Sequence, residues 1–156
     1  MLDLPFPRVI DNRFRGRWLG YWLLAPVLFL KIGIAFASIL TPRAANNADA
    51  IDLSTYSKAA LRDAMTSTAL LGLLHLCIGL FCLFAMIRYR AMVPLIYLWL
   101  LAEFLGRRII FGLYPMDRAP GLSSGSIVNL GLLAMMALGL ALSLWPRRET
   151  PDRSAA

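Results

Sequence analysis

Long apolar runs separated by short polar links make up most of this chain, and their lengths predict four membrane-spanning helices. The runs cover about 18–40, 65–87, 91–114 and 123–145. Each has roughly the 20 residues needed to cross a hydrocarbon core about 30 Å thick. The first is apolar apart from Lys31 and opens on Trp18, Tyr21 and Trp22, where an aromatic belt belongs. Pro26 lies inside it and predicts either a kink or an interfacial turn over residues 18–25.

The links read differently from one another. Residues 41–57 are polar and form the longest connection, from which Ser54 or Ser57 is placed to cap a helix entering the second span through Arg62. Arg88-Tyr89-Arg90 is too short to be anything but a tight turn, and Pro94 suits the first turn of the third span. Residues 114–121, with Pro115, Asp117, Pro120 and Gly121, read as a loop. Residues 1–17 form a basic arm that Pro5 and Pro7 keep from regular helix, and residues 146–156 read as a disordered polar tail.

Composition agrees with the pattern: 59% of residues are hydrophobic and the mean hydropathy is +0.65, which excludes an ordinary soluble domain. A net charge of +7 would suit nucleic acid, but the basic residues flank apolar spans instead of forming an interleaved patch, so nucleic-acid binding is set aside. Those same residues set the orientation. Arg8, Arg13, Arg15, Arg17, Arg88, Arg90, Arg147, Arg148 and Arg153 fall on the side holding both termini, against Arg43, Lys58, Arg62 and Arg118 on the other. The excess puts both termini in the cytoplasm. A cleavable leader ending near Ala35-Phe36-Ala37 is the competing reading of the first span, but the run is too long and Lys31 interrupts it. Cys77 and Cys82 lie five residues apart on one span, point to different sides, and read as small buried hydrophobes.

Charge inside the spans is where chemistry enters. With a rise of about 1.5 Å per residue, Lys31, His75 and Glu103 fall at one depth near the midplane, and Arg107 and Asn129 share a level one turn further out. Glu103 is the only carboxylate within any span, so it is the expected partner of Lys31, whose stem is too short to reach headgroups from there. Trp99, Ala102, Glu103, Gly106, Arg107 and Ile110 make one stripe of the third span; Thr68, Gly72, His75, Gly79 and Cys82 make one of the second. Both stripes are expected to face inward, and Gly33 with Ala37 and Gly139 with Ser143 are further small pairs that would admit close helix approach. Arg108 sits off its stripe and either turns out to the headgroups or meets a partner subunit.

Two readings of this layer stay open: an ion or proton relay or anion pocket, and a buried ionic lock that fixes helix register. Two bases against one acid favour capacity for an anion. His75 is the chain's only histidine, and a hydrogen-bonded core role outweighs ligation of a metal or haem. Asn129 reads as interhelical glue, and Met135 and Met136 as core fillers. No nucleophile with a base, no paired carboxylates and no histidine cluster appear, so an enzyme is disfavoured and no cofactor or metal is expected.

Ala60-Leu61-Arg62 at the head of the second span, Leu105-Gly106-Arg107 late in the third, then Gly112 and the Asp117 loop resemble small bacterial four-helix membrane proteins of uncharacterised function. The resemblance covers about residues 58–145 and implies the same fold, without an activity. Glu103 and the doubled Arg107-Arg108 depart from it. The expectation is therefore an all-α integral membrane four-helix bundle in a binding or accessory role, holding a lipid headgroup or small anion. Its partners would be the lipid bilayer, with a homo-oligomer or larger membrane complex; a small oligomeric transporter or proton-coupled carrier is the alternative.

Overall fold

The computed structural model describes residues 14, 16–54, 56–114 and 124–145. Most of the basic arm, the loop after the third apolar run and the polar tail lie outside the described residues. Those described are all-helical, with no strand: α1 (Trp18–Leu40), α2 (Pro42–Ala48), α3 (Lys58–Arg88), α4 (Val93–Leu113) and α5 (Ser124–Leu144). Three are long and apolar enough to cross a membrane: α1, α3, and α5 over Gly125–Leu144. The 21 residues of α4 include Glu103, Arg107 and Arg108. Outward-facing Trp22, Phe29, Leu70, Phe81, Phe84 and Leu130 leave a broad apolar surface, far more than water would tolerate on a lone chain.

Helix ends follow local chemistry. The Ser57 hydroxyl accepts the Ala60 N–H at 3.2 Å and starts α3, so of the two candidate serines it is Ser57 that caps. Pro42 and Pro94 occupy the first turns of α2 and α4, where a missing N–H costs nothing. Between α3 and α4 the chain turns through Tyr89 and a single 3₁₀ turn, Arg90–Met92. The Arg90 guanidinium lies 5.6 Å from the Trp18 ring and 5.5 Å from that of Tyr21, which ties this turn to the start of α1.

Residues 41–57 hold more order than a polar connection suggests. α2 ends in a reversed turn, with Ala50 N–H bonded to Asn47 and Ile51 N–H to Asn46, and Ala50 at φ 58°. Buried Asn46 donates to the Pro42 carbonyl at 3.0 Å and accepts from the Thr68 hydroxyl at 3.1 Å, fastening α2 to α3. α1 runs unbroken through Pro26, which faces outward.

α1 is the central element, touching α2, α3, α4 and α5. Its Leu24, Val27 and Leu28 pack with Val93, Tyr97 and Leu100 of α4 and Met136 of α5 in the core. The backbones of α1 and α5 approach closely: a Cβ on Gly20 would stand 2.9 Å from Ser143 N and 3.2 Å from the Gly139 carbonyl. Gly139 in turn leaves room for the Tyr97 ring, whose hydroxyl donates to the Gly20 carbonyl at 2.8 Å.

Several expectations change in detail. The inward face of α4 is Val93, Ile96, Tyr97, Leu100 and Phe104, whereas Trp99, Ala102 and Ile110 of the expected stripe are exposed. Gly33 has nothing near it, and its place in the close approach is taken by Gly16 and Gly20, facing Gly139 and Ser143. Cys82 is buried but Cys77 is exposed, and both are free thiols. The reason is common to all three: lipid is as apolar as the core, so hydrophobicity alone does not say which side of a membrane helix packs inward.

Candidate functional site

Lys31 leaves α1 about midway along its length, His75 does so from α3, and Glu103 from the middle of α4. Their helices bring all three together. Lys31 Nζ donates to Glu103 Oε2. His75 Nε2 stands 3.3 Å from the other oxygen, Oε1. That approach lacks hydrogen-bond alignment, so Oε1 is buried without a hydrogen bond among the described residues. One carboxylate thus faces two nitrogen groups from two other helices, a charged pair with an imidazole poised beside it.

Glycines on α3 explain how the groups meet. Gly72 and Gly79 lie against Ser38 and Ile32 of α1, with side-chain atoms 2.8 and 2.9 Å from where a Cβ would be. This draws α3 onto α1 on either side of His75, so the imidazole emerges beside Lys31. Thr68, on the same stripe, is occupied by Asn46 of α2.

One turn outward, Arg107 Nη2 donates to Asn129 Oδ1 at 3.2 Å, joining α4 to α5. The guanidinium also lies 5.7 Å from the Phe104 ring, a contact for which sequence spacing gave no separate cue beyond the three-residue interval. Arg108 is exposed and turned away from this group. Met136 is buried and Met135 partly so, both in the apolar core. Among the described residues no three His, Cys, Asp or Glu side chains gather to hold a metal ion.

Chemically, the site pairs a satisfied ion pair with two unspent capacities. Glu103 Oε1 lies beside His75 and accepts no hydrogen bond among the described residues. Arg107 presents five N–H donors, of which one goes to Asn129 among the described residues. Reasoning from the sequence overlooked the Tyr97 to Gly20 bond, although a phenolic hydroxyl inside an apolar span calls for an acceptor. It also overlooked Asn46 as a buried group, because loop polarity gives no sign of burial.

No family model matches this chain, and no curated protein or solved structure matches it either.

Proposed function

We propose that this is a small four-span integral protein of a bacterial inner membrane, both termini cytoplasmic, acting in a binding or accessory role through the polar site between α1, α3 and α4. The observation that carries the reading is the convergence of Lys31, His75 and Glu103, from three helices, on one carboxylate within an apolar bundle. Ionisable groups at such depth cost several kcal/mol to insert and mark functional sites by default. The 21 residues of α4 give about 31 Å of helix, enough for a fourth span. Its Glu103 and Arg107 are met by α1, α3 and α5, which offsets much of that cost. The arginine excess on one side supports the orientation.

In this reading Lys31 and Glu103 fix the register of α1 against α4, and Arg107, bonded to a neutral amide, is the cation left to receive an anion. Thermal shift of the detergent-purified protein against inorganic phosphate, short carboxylates and anionic lipids tests it. Stabilisation by at least one anion, lost in Arg107→Gln, is expected; no response to any of them would sink the binding role.

The proton-coupled carrier is the second reading, favoured by the unbonded Glu103 Oε1 beside His75. Proteoliposome flux separates the two, since a carrier moves an anion or protons and an accessory protein moves neither.

A further inference from the structure

The start of α1, the turn between α3 and α4, and the end of α5 meet at one end of the bundle. The Arg17 N–H donates to the Leu142 carbonyl at 3.2 Å, and the Arg90 guanidinium lies over the Trp18 and Tyr21 rings. Charge at this end has one sign. Arg17, Arg88 and Arg90 are here, whereas the acids among the described residues are elsewhere: Asp49, Asp52 and Asp63 between the end of α1 and the first turns of α3, and Glu103 midway along α4. Helix dipoles do not offset the arginines, because α1 and α4 start at this end while α3 and α5 finish there.

Arg17 and Arg88 are exposed, but Arg90 is half-buried, and its Nε is buried with no hydrogen bond among the described residues. Two ring faces offset its charge, yet a stacked ring accepts none of the N–H donors along the guanidinium edge. The seat is fixed beforehand, since Phe14, Trp18 and Tyr21 pack against one another with ring centroids 5.6 to 6.2 Å apart. Beside it α1 begins at Arg17 with no side-chain cap, which leaves first-turn N–H groups open.

Aromatic residues set the level of this corner. Trp18 is 39% and Trp22 64% exposed, at the start of a helix apolar enough to span, where indole rings meet the boundary between membrane and water. A phospholipid places its phosphate at that boundary, and exposed Leu19 and Trp22 offer apolar surface to the chains below it. A carboxylate from an acidic protein would meet exposed Arg17 and Arg88 before half-buried Arg90, and would make no use of the apolar surface.

We infer that the corner beside the α3–α4 turn binds the phosphate of an anionic phospholipid, with Arg90 donating to it and Arg17 and Arg88 adding positive charge around it. The site is independent of Arg107 and rests on the four-span orientation above only for its leaflet, the cytoplasmic one. Each basic residue near a membrane surface favours anionic lipid by roughly fivefold. A lysine in place of Arg90 would keep the charge but not the planar fork, which both stacks on rings and grips two phosphate oxygens.

The test is native mass spectrometry of the full chain titrated with phosphatidylglycerol, phosphatidylcholine or inorganic phosphate. Phosphatidylglycerol should bind about tenfold more tightly than phosphatidylcholine, and Arg90→Gln should lower that preference about fivefold. Trp18→Leu, which removes a ring under the guanidinium and leaves every charge in place, should lower it several-fold. Arg43→Gln takes the same charge from the opposite end and should leave the preference within about a factor of two, as should Arg107→Gln. If Arg90→Gln fails to fold, Arg90→Lys keeps the charge, loses the fork, and should still reduce the preference. Equal binding of the two lipids overturns the inference, as it would if a carboxylate of the chain or of an acidic partner filled the corner. Equal losses in Arg90→Gln and Arg43→Gln overturn it in favour of diffuse attraction, and inorganic phosphate bound as tightly as phosphatidylglycerol overturns it in favour of a free anion. A preference abolished by Arg107→Gln alone overturns it while leaving the anion-binding reading standing.

Discussion

Near the α3–α4 turn, Gly20 and Gly139 let α1 and α5 close around Tyr97, which is buried with Leu24, Val93 and Leu100. Half a helix away, Lys31, His75 and Glu103 meet from three helices. The first region specifies its register by shape, because a glycine seam accepts only the backbone opposite it. The second is joined by charge, with the one carboxylate bonded to Lys31. In a membrane both devices replace the hydrophobic effect, which supplies no force between helices already in an apolar solvent. Shape leaves no room for a ligand, whereas charge leaves donors over.

The contrast can be broken most severely at the glycine seam. Gly20→Leu drives a side chain into the backbone of α5, where nothing flexible can give way, and should cost about 3 kcal/mol. Thermal unfolding in detergent micelles measures it, and a loss below a tenth of that would mean α1 and α5 are not packed this closely. At the charged layer, Glu103→Gln leaves Lys31 without its counter-charge; partial exposure of the pair holds the expected cost to about 2 kcal/mol. Combining it with Lys31→Met should restore most of that stability if the pair is a lock, and a double-mutant cycle with no coupling would deny the interaction.

Smaller effects sharpen the same comparison. Tyr97→Phe removes the hydroxyl that reaches the Gly20 carbonyl and should cost about 1 kcal/mol, showing how much of the shape-built region is polar after all. Ala50→Gly, at the left-handed end of α2, relieves backbone strain at some cost in unfolded-state entropy and should stabilise by about 0.5 kcal/mol. Destabilisation there would indicate that α2 does not end in this turn.

The sequence carried the depth of each ionisable group well, because helical rise converts residue number to height with little freedom. That is why Lys31, His75 and Glu103, and separately Arg107 and Asn129, were expected at shared levels and are found bonded or in close contact. Azimuth was not legible in the same way. Trp99 and Ile110 look outward and Tyr97 and Leu100 inward, yet all four are apolar and only packing distinguishes them. Gly20 rather than Gly33 marks the seam for a similar reason, since a glycine's use depends on what stands opposite. The short helix α2 was hidden in a stretch read as a polar connection, where Pro42 starts its first turn.

Lys31 and Glu103 are 72 residues apart in the chain. At ordinary rates of synthesis that separation is on the order of ten seconds, during which α1 exists and its partner does not. The helix must therefore enter the bilayer on its own hydropathy, carrying an unpaired ammonium group, and wait. A nascent chain stopped before Glu103 would hold that group unmet indefinitely, so the ion pair doubles as a mark of completion: only a chain translated through α4 can retire the charge that α1 brought in.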